Sequence, residues 1–131
     1  MIIYLDFDGT LVEHCYPLIG KINPRSFNVV EKLKNAGHTI VLNTYRADCD
    51  DGTLELSVYF IERNPYYDLK LDSIQSSKIM PLPWKTPHKN MISMYIDDIS
   101  PGIPLRDGFH VDSKMVDWQQ LDKLFDENGI Y

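Results

Sequence analysis

The chain has 131 residues, the size of one domain, and can bury roughly two-thirds of the surface that its unfolded form exposes. It carries 13 lysine and arginine residues against 19 aspartate and glutamate residues, a formal net charge of −6, with no basic cluster. A nucleic acid is therefore not expected as its partner, because phosphate-rich strands are bound by a basic face.

Neither a secretion signal nor a membrane span is visible. The first residues lack the basic segment of a signal peptide, and no apolar run approaches the length that crosses a bilayer. The two cysteines, Cys15 and Cys49, lack metal-ligand spacing and are too few for a disulfide framework. We therefore expect reduced thiols and a cytoplasmic protein with a single domain over residues 1–131.

The start of the chain predicts a site. Residues 2–5 are an apolar run typical of a buried strand, and Asp6 and Asp8 follow it directly. Alternation along a strand places both carboxylates on one side and Phe7 in the core. Gly9 then allows a sharp turn. Two like charges this close require a cation or a proton to offset their repulsion.

Helices and strands alternate along the rest of the chain. Residues 11–22 predict a loop or small β-flap over the tip of the first strand. Residues 24–36 predict a helix, with Asn23 as its N-cap and Gly37 at its end. The remaining predicted elements are a strand over 38–44, a helix over 52–63, a short strand over 69–71, a proline-rich loop over 73–90, a strand over 92–98 and a helix over 114–128.

This alternation predicts an α/β protein with right-handed crossovers, a three-layer Rossmann-like fold around a mostly parallel sheet. Such sheets bind ligands outside the carboxyl ends of their strands. Three predicted strands end there in polar residues, namely Asp6 and Asp8, Thr44, and Asp97 and Asp98. We therefore expect these side chains to meet at one edge.

The residue types at this edge favour phosphoryl chemistry. Four carboxylates without a thiol or imidazole partner prefer a hard cation, above all Mg²⁺. A carboxylate beside the ion can attack phosphorus and form an aspartyl-phosphate, and a second carboxylate two residues later can exchange protons with the leaving group and with water. A hydroxyl and a lysine would bind the charge on the transferred group of a phosphorylated small molecule.

The motifs resemble those of the haloacid dehalogenase-like superfamily of phosphatases. The stretch from Asp6 to Leu11 is similar to its first motif, Thr44 to its second, and the pair Asp97-Asp98 to its fourth. The resemblance implies Asp6 as nucleophile, Asp8 as general acid/base and Thr44 as a donor to phosphate. It also implies Mg²⁺ held by the Asp6 side chain, the Asp8 backbone carbonyl and the fourth-motif acids.

The resemblance extends to substrate contacts. Gly9 and Thr10 belong to the first motif, and Arg46 follows the second as in small bacterial and phage members. All three are expected to bind substrate. An ion pair with Asp48 or Asp50 explains Arg46 equally well.

The third motif of the family is a lysine, for which Lys78, Lys85 and Lys89 are candidates. Lys89 is favoured, because its spacing to the fourth motif is similar to that of the small members. The four histidines, His14 among them, are expected to be ordinary surface or flap residues.

No insertion is long enough for a cap domain, so the chain resembles a capless member. An open site admits a bulky substrate or closure by a neighbouring subunit, which leaves a homo-oligomer open. The expected function is a Mg²⁺-dependent phosphomonoesterase. The alternatives are a catalytically weak or inactive member of the fold that binds a ligand, and a two-component receiver domain. The receiver fits poorly, because here an acid pair follows Thr44.

Overall fold

The computed structural model of the protein describes residues 1–76 and 82–131. Its elements are, in chain order, β1 (Ile2–Leu5), α1 (Ser26–Asn35), β2 (Thr39–Thr44), a 3₁₀ turn (Tyr45–Asp48), α2 (Thr53–Glu62), β3 (Ser73–Ser76), β4 (Ser93–Ile96), β5 (Leu105–Asp107), β6 (Lys114–Val116) and α3 (Trp118–Glu127). None of the helices in these two stretches has the length and apolar character needed to cross a membrane.

Four strands form a parallel sheet in the order β3-β2-β1-β4, while β5 and β6 form a separate antiparallel pair. Leu5 at the end of β1 lies level with Leu42 of β2 and Ile96 of β4. Thr44 at the end of β2 lies level with Ser76 of β3. The predicted parallel sheet is therefore confirmed, and its carboxyl ends form one edge.

One face of the sheet packs against the helices. Ile3, Leu5 and Ile96 are fully buried there, and they share one core with buried side chains of all three helices, among them Phe27, Val30, Leu33, Ile61, Trp118, Leu121 and Phe125. On the other face Tyr4 stacks on Tyr95, with ring centroids 4.5 Å apart.

The helices of the described residues thus form a single layer, and the third layer expected from the sequence is not built by them. In the described part of the connection from β3 to β4, residues 82–92, no helix forms. This connection carries Pro83 and Pro87, which lack the backbone N–H that a helix needs.

Helix α1 begins later than the sequence predicts. Its N-cap is Arg25, in the left-handed region at φ 68°, and not Asn23. The buried Asn23 side chain instead donates to the backbone carbonyls of Thr10 and Val116, at 2.8 and 2.7 Å. The side chain that suits an N-cap here joins Thr10, in the turn after β1, to β6.

The end of α1 is as predicted. Gly37 adopts φ +95°, its N–H donates to the Lys34 carbonyl at 3.0 Å, and the next N–H, of His38, reaches Leu33 at 3.2 Å. This pair of bonds is the Schellman arrangement, which favours glycine because no Cβ opposes the left-handed backbone.

The short strand predicted over residues 69–71 is wrong. Leu69 is fully buried, and the Leu71 N–H is taken by the Glu62 carboxylate at 2.9 Å, outside the sheet. The strand lies at Ser73–Ser76 and pairs with β2. Its mostly polar sequence carries no apolar signature, because an edge strand is held by backbone pairing.

The hairpin of β5 and β6 was not predicted, and it takes the first residues assigned to the last helix. Residues 114–116 are strand, and α3 starts at Trp118. Asp117 caps α3, since its side chain accepts the Gln120 N–H at 3.1 Å. Trp118 and Leu121 are buried, as expected for the core face of this helix.

Candidate active site

Three carboxylates meet at the carboxyl edge of the sheet. Asp6 follows β1, and Asp97 and Asp98 follow β4, the neighbouring strand. One carboxylate oxygen from each lies within 4.8 Å of the others. The Asp6 N–H donates to the Ile96 carbonyl at 3.0 Å, which extends the β1–β4 pairing into the site. The sequence therefore predicts this juxtaposition correctly.

Thr10 ties the two acidic segments together. Its hydroxyl donates to Asp6 at 3.3 Å and accepts the backbone N–H of Asp98 at 3.2 Å. Its carbonyl accepts side-chain bonds from Asn23 and Trp118, at 2.8 and 2.7 Å. Thr10 is fully buried, so the structure places this predicted substrate contact beneath the acids, where it positions them.

The acids repel one another strongly. Burial, reinforced by the charges of Asp97 and Asp98, raises the pKa of Asp6 well above its usual range. Burial also raises the pKa of Asp97 to about 6. Burial alone would raise the pKa of Asp98 too, but the hydrogen bond to His14, together with the His14 charge and hydrogen bonds to Asp6 and Asp97, holds that pKa below its ordinary value.

This donor set fits a hard divalent cation. The three carboxylates offer only oxygen ligands, and oxygen is what Mg²⁺ prefers. A cation would also relieve the repulsion that raises the pKa values of Asp6 and Asp97.

His14 of the flap reaches into the cluster. Its Nε2 lies 2.8 Å from Asp98 Oδ2, and this hydrogen bond raises the pKa of the imidazole. The imidazole lies over Gly9, where an added Cβ would meet His14 Nε2 at 2.4 Å and Asp98 Oδ2 at 2.5 Å. The sequence predicts an ordinary surface or flap residue at His14, and the structure places it in the acidic cluster instead. A local sequence pattern could not reveal this contact, because Asp98 lies 84 residues away.

Asp8 is held by Arg46 in a two-pronged ion pair. Arg46 Nε and Nη2 donate to the two carboxylate oxygens of Asp8, each at 2.7 Å. The other donors bind the backbone carbonyls of Pro17, Leu18 and Thr53 at 3.4, 2.7 and 3.3 Å. The guanidinium has five N–H groups, and all are accepted within the chain.

Arg46 is therefore a positioning residue. Its side chain is 1% exposed, and it pairs with Asp8, not with Asp48 or Asp50. The structure thus leaves no free donor on Arg46 for the substrate contact that the sequence predicts. A local sequence pattern could not identify Asp8 as the partner of Arg46, because Asp8 lies 38 residues earlier in the chain.

The acids open into a cleft of about 430 Å³. Thr44 lines it, and its hydroxyl accepts the Arg46 N–H at 3.1 Å, so the residue both borders the cleft and caps the 3₁₀ turn. The residues around the cleft are Asp6, Asp8, Asp97, Asp98, Thr44 and Arg46, together with His14, Tyr16, Tyr45, Cys49 and Ile99.

The favoured third-motif lysine does not reach this cleft. Lys89 is exposed in the turn before β4, at the amino end of that strand, whereas the acids follow the carboxyl end. Lys85 lines a separate cavity beside Trp84 and Tyr95. Lys78 lies outside the described residues. Within residues 1–76 and 82–131, no lysine borders the cleft.

Comparison with known proteins adds evidence on the fold. No protein-family model matches the chain, and no curated protein matches it. A solved structure, a conserved protein from Bacteroides thetaiotaomicron, is similar with a TM-score of 0.62 and 22% identity, over 97% of this chain and 90% of that one. At this identity the likeness shows the fold alone. The chain has an α/β fold built on a parallel sheet, and the bacterial protein shares this fold over 90% of its own length.

Proposed function

We propose that this chain is a Mg²⁺-dependent phosphohydrolase of the haloacid dehalogenase-like type, without a cap domain, that acts on phosphomonoesters. The observation that carries the proposal is the convergence of Asp6, Asp97 and Asp98 at the carboxyl edge of the parallel sheet. Phosphoryl transfer needs little covalent chemistry beyond a positioned nucleophile and compensation of negative charge. Asp6 would be the nucleophile, and the three carboxylates would hold the cation that compensates the charge.

Asp6 is the proposed nucleophile. A carboxylate oxygen of Asp6 attacks phosphorus, the bond from phosphorus to the ester oxygen breaks, and an aspartyl-phosphate forms. Asp6, Asp97 and Asp98 would hold Mg²⁺, which would compensate the negative charge of the phosphoryl group. Water then attacks the phosphorus of the aspartyl-phosphate, which releases inorganic phosphate and regenerates Asp6.

Asp8 is the proposed general acid/base. It gives a proton to the departing alkoxide and takes one from the water of the second step. Arg46 fixes the carboxylate through two bonds, so Asp8 has one orientation toward the cleft that it shares with Asp6. Thr44, which lines the same cleft, is the proposed donor of a hydroxyl proton to a phosphate oxygen.

The test is release of inorganic phosphate from p-nitrophenyl phosphate. Activity should require Mg²⁺ and disappear on chelation. Asp6→Asn should lose at least about a thousandfold in kcat, because the amide is not a nucleophile toward phosphorus. Asp68→Asn, at an exposed position outside the cleft, is the matched control and should keep full activity. Full activity of Asp6→Asn, or after metal removal, would overturn the proposal.

A ligand-binding protein that has lost turnover is the second candidate. It is favoured by the absence of a lysine around the cleft in the described part of the chain, since charge on the transferred group then lacks that donor. This candidate requires Mg²⁺-dependent binding of inorganic phosphate by calorimetry without release of phosphate from any ester. Substituting Lys78, Lys85 and Lys89 singly by alanine identifies which lysine, if any, supports turnover.

A further inference from the structure

We propose that the cleft selects phosphomonoesters whose organic group carries a planar aromatic ring. The inference rests on the proposed function and names the substrate class of the same site. Two tyrosine rings carry it, those of Tyr16 and Tyr45, which border the cleft outside its acidic floor.

Both rings are open to solvent. Tyr16 is 46% exposed and Tyr45 is 66% exposed, and Ile99, directly after Asp98, is 63% exposed. Single exposed apolar residues are common on protein surfaces and carry no meaning alone. These three come from three separate loops and meet around one cleft, where an apolar rim surrounds a few polar groups. That combination is typical of a small-molecule site.

The Tyr16 ring is held in place before any ligand arrives, and the backbone that carries Tyr45 is fixed by the 3₁₀ turn. The Tyr16 hydroxyl donates to Asp51, and the Tyr16 ring lies 5.2 Å from the buried Arg46 guanidinium. Tyr45 opens the 3₁₀ turn that Thr44 caps. A ring that is already fixed loses little conformational freedom when a second ring stacks on it.

The charge of the cleft further restricts the range of ligands that it can bind. Four carboxylates face one guanidinium that is already paired with Asp8 and one imidazole, of His14, that is already bonded to Asp98. A ligand with several negative groups, such as a nucleic-acid strand, is repelled once the phosphoryl group has taken the cation. A single phosphate on a neutral ring satisfies both parts of the cleft, the charged floor and the apolar rim.

The test compares two esters of equal carbon number and similar leaving group, benzyl phosphate and cyclohexylmethyl phosphate. We expect kcat/KM to be about tenfold higher for the planar ring. Tyr45→Leu and Tyr16→Leu should bring the two esters close to parity, and Tyr45→Phe should keep the preference. Tyr59→Leu is the control, since Tyr59 is an exposed tyrosine of α2 outside the cleft.

A second pair, adenosine 5′-monophosphate and ribose 5-phosphate, tells whether the ring sits next to the phosphate or one sugar away. A preference for the aromatic member of either pair, lost in Tyr45→Leu, supports the proposal. If neither pair shows a preference, the proposed selection of an aromatic ring is overturned, whereas the proposed phosphohydrolase function is not. If no ester is hydrolysed, the proposed function fails. Calorimetry with benzylphosphonate and cyclohexylmethylphosphonate in Mg²⁺ then still decides whether the cleft prefers the planar ring.

Discussion

The carboxyl group of Asp97 is destabilised in its charged form by the fold. It is 7% exposed, and burial beside the other acids raises its pKa to about 6, whereas an aspartate in an unfolded chain has a pKa of about 3.9. Between roughly pH 4 and 6 the folded state therefore binds more protons than the unfolded state. The stability that depends on this proton is present below about pH 4 and is lost as the pH rises through about 6.

We therefore expect Asp97→Asn to stabilise the metal-free protein near neutral pH. The amide carries no charge, and its oxygen can still accept the Ile99 N–H that Asp97 accepts at 3.1 Å. The free energy of unfolding in urea with a chelator should rise by about 1–3 kcal/mol at neutral pH and change little at about pH 4. Asp68→Asn serves as the control. A variant no more stable than wild type at neutral pH would contradict mutual repulsion in the cluster.

The sequence identifies residues at the site better than it identifies their partners. Asp6, Thr44 and Asp97 can be placed at one edge because each ends an apolar strand of a predicted parallel sheet. The pairing of Asp8 with Arg46 depends on how the 3₁₀ turn after β2 meets the end of β1. Hydrogen-bond partners of this kind depend on three-dimensional approach, which no local pattern contains.

At the scale of elements, Arg46 joins three segments that the chain keeps apart. Its guanidinium binds Asp8 beyond β1, the flap through Pro17 and Leu18, and the start of α2 through Thr53. The Phe7 ring packs against it as well, 5.1 Å from Cζ. Removal of this side chain would leave a carboxylate and several carbonyls without a partner.

Arg46→Met should therefore destabilise the protein by about 3–5 kcal/mol, the usual cost of breaking a buried ion pair on one side. Arg46→Lys should recover only part of this, because one ammonium cannot reach acceptors on three segments. Unfolding in urea measures the free energy of unfolding of both variants. Arg63→Met, at an exposed arginine after α2, is the control. A loss near zero for Arg46→Met would show that the flap and α2 are held by other contacts.

The sequence predicts correctly those helices and strands that bury apolar residues. Strands β1 and β2 and the C-terminal stop of α1 follow from apolar runs and from Gly37. Strand β3 and the β5–β6 hairpin do not, because backbone pairing makes them and their side chains are mixed. Asn23 has the chemistry of a cap, yet it lies outside the helix, and its side-chain NH₂ group donates to the backbone carbonyls of Thr10 and Val116.

At the scale of the whole molecule, strand order decides the site. Neighbours in the sheet, β1 and β4, are separated in the chain by about two-thirds of its length, and their register brings Leu5 level with Ile96. The acids that follow β1 and the acids that follow β4 therefore lie next to each other. Alternation of helices and strands predicts this parallel order, whereas the single helical layer of the described residues could be anticipated only from Pro83 and Pro87 in the β3–β4 connection.

Mg²⁺ should stabilise the whole fold, because the ion binds an arrangement that exists only in the folded chain. At about ten times the dissociation constant, the gain in the free energy of unfolding is about 1.4 kcal/mol. A rise in melting temperature of a few degrees is expected. Asp6→Asn and Asp97→Asn should reduce the shift, and Asp68→Asn should keep it. Equal shifts in all four proteins would place the bound ion away from the cluster.

Gly9 sets the depth to which the flap can settle. The space where any other residue would carry its first side-chain carbon is already taken by the His14 imidazole and the Asp98 carboxylate, 2.4 and 2.5 Å away. A methyl group at residue 9 would push the His14 imidazole away from Asp98 and raise the flap above the cleft. The distance between the flap and the acids therefore depends on residue 9 having only a hydrogen atom as its side chain.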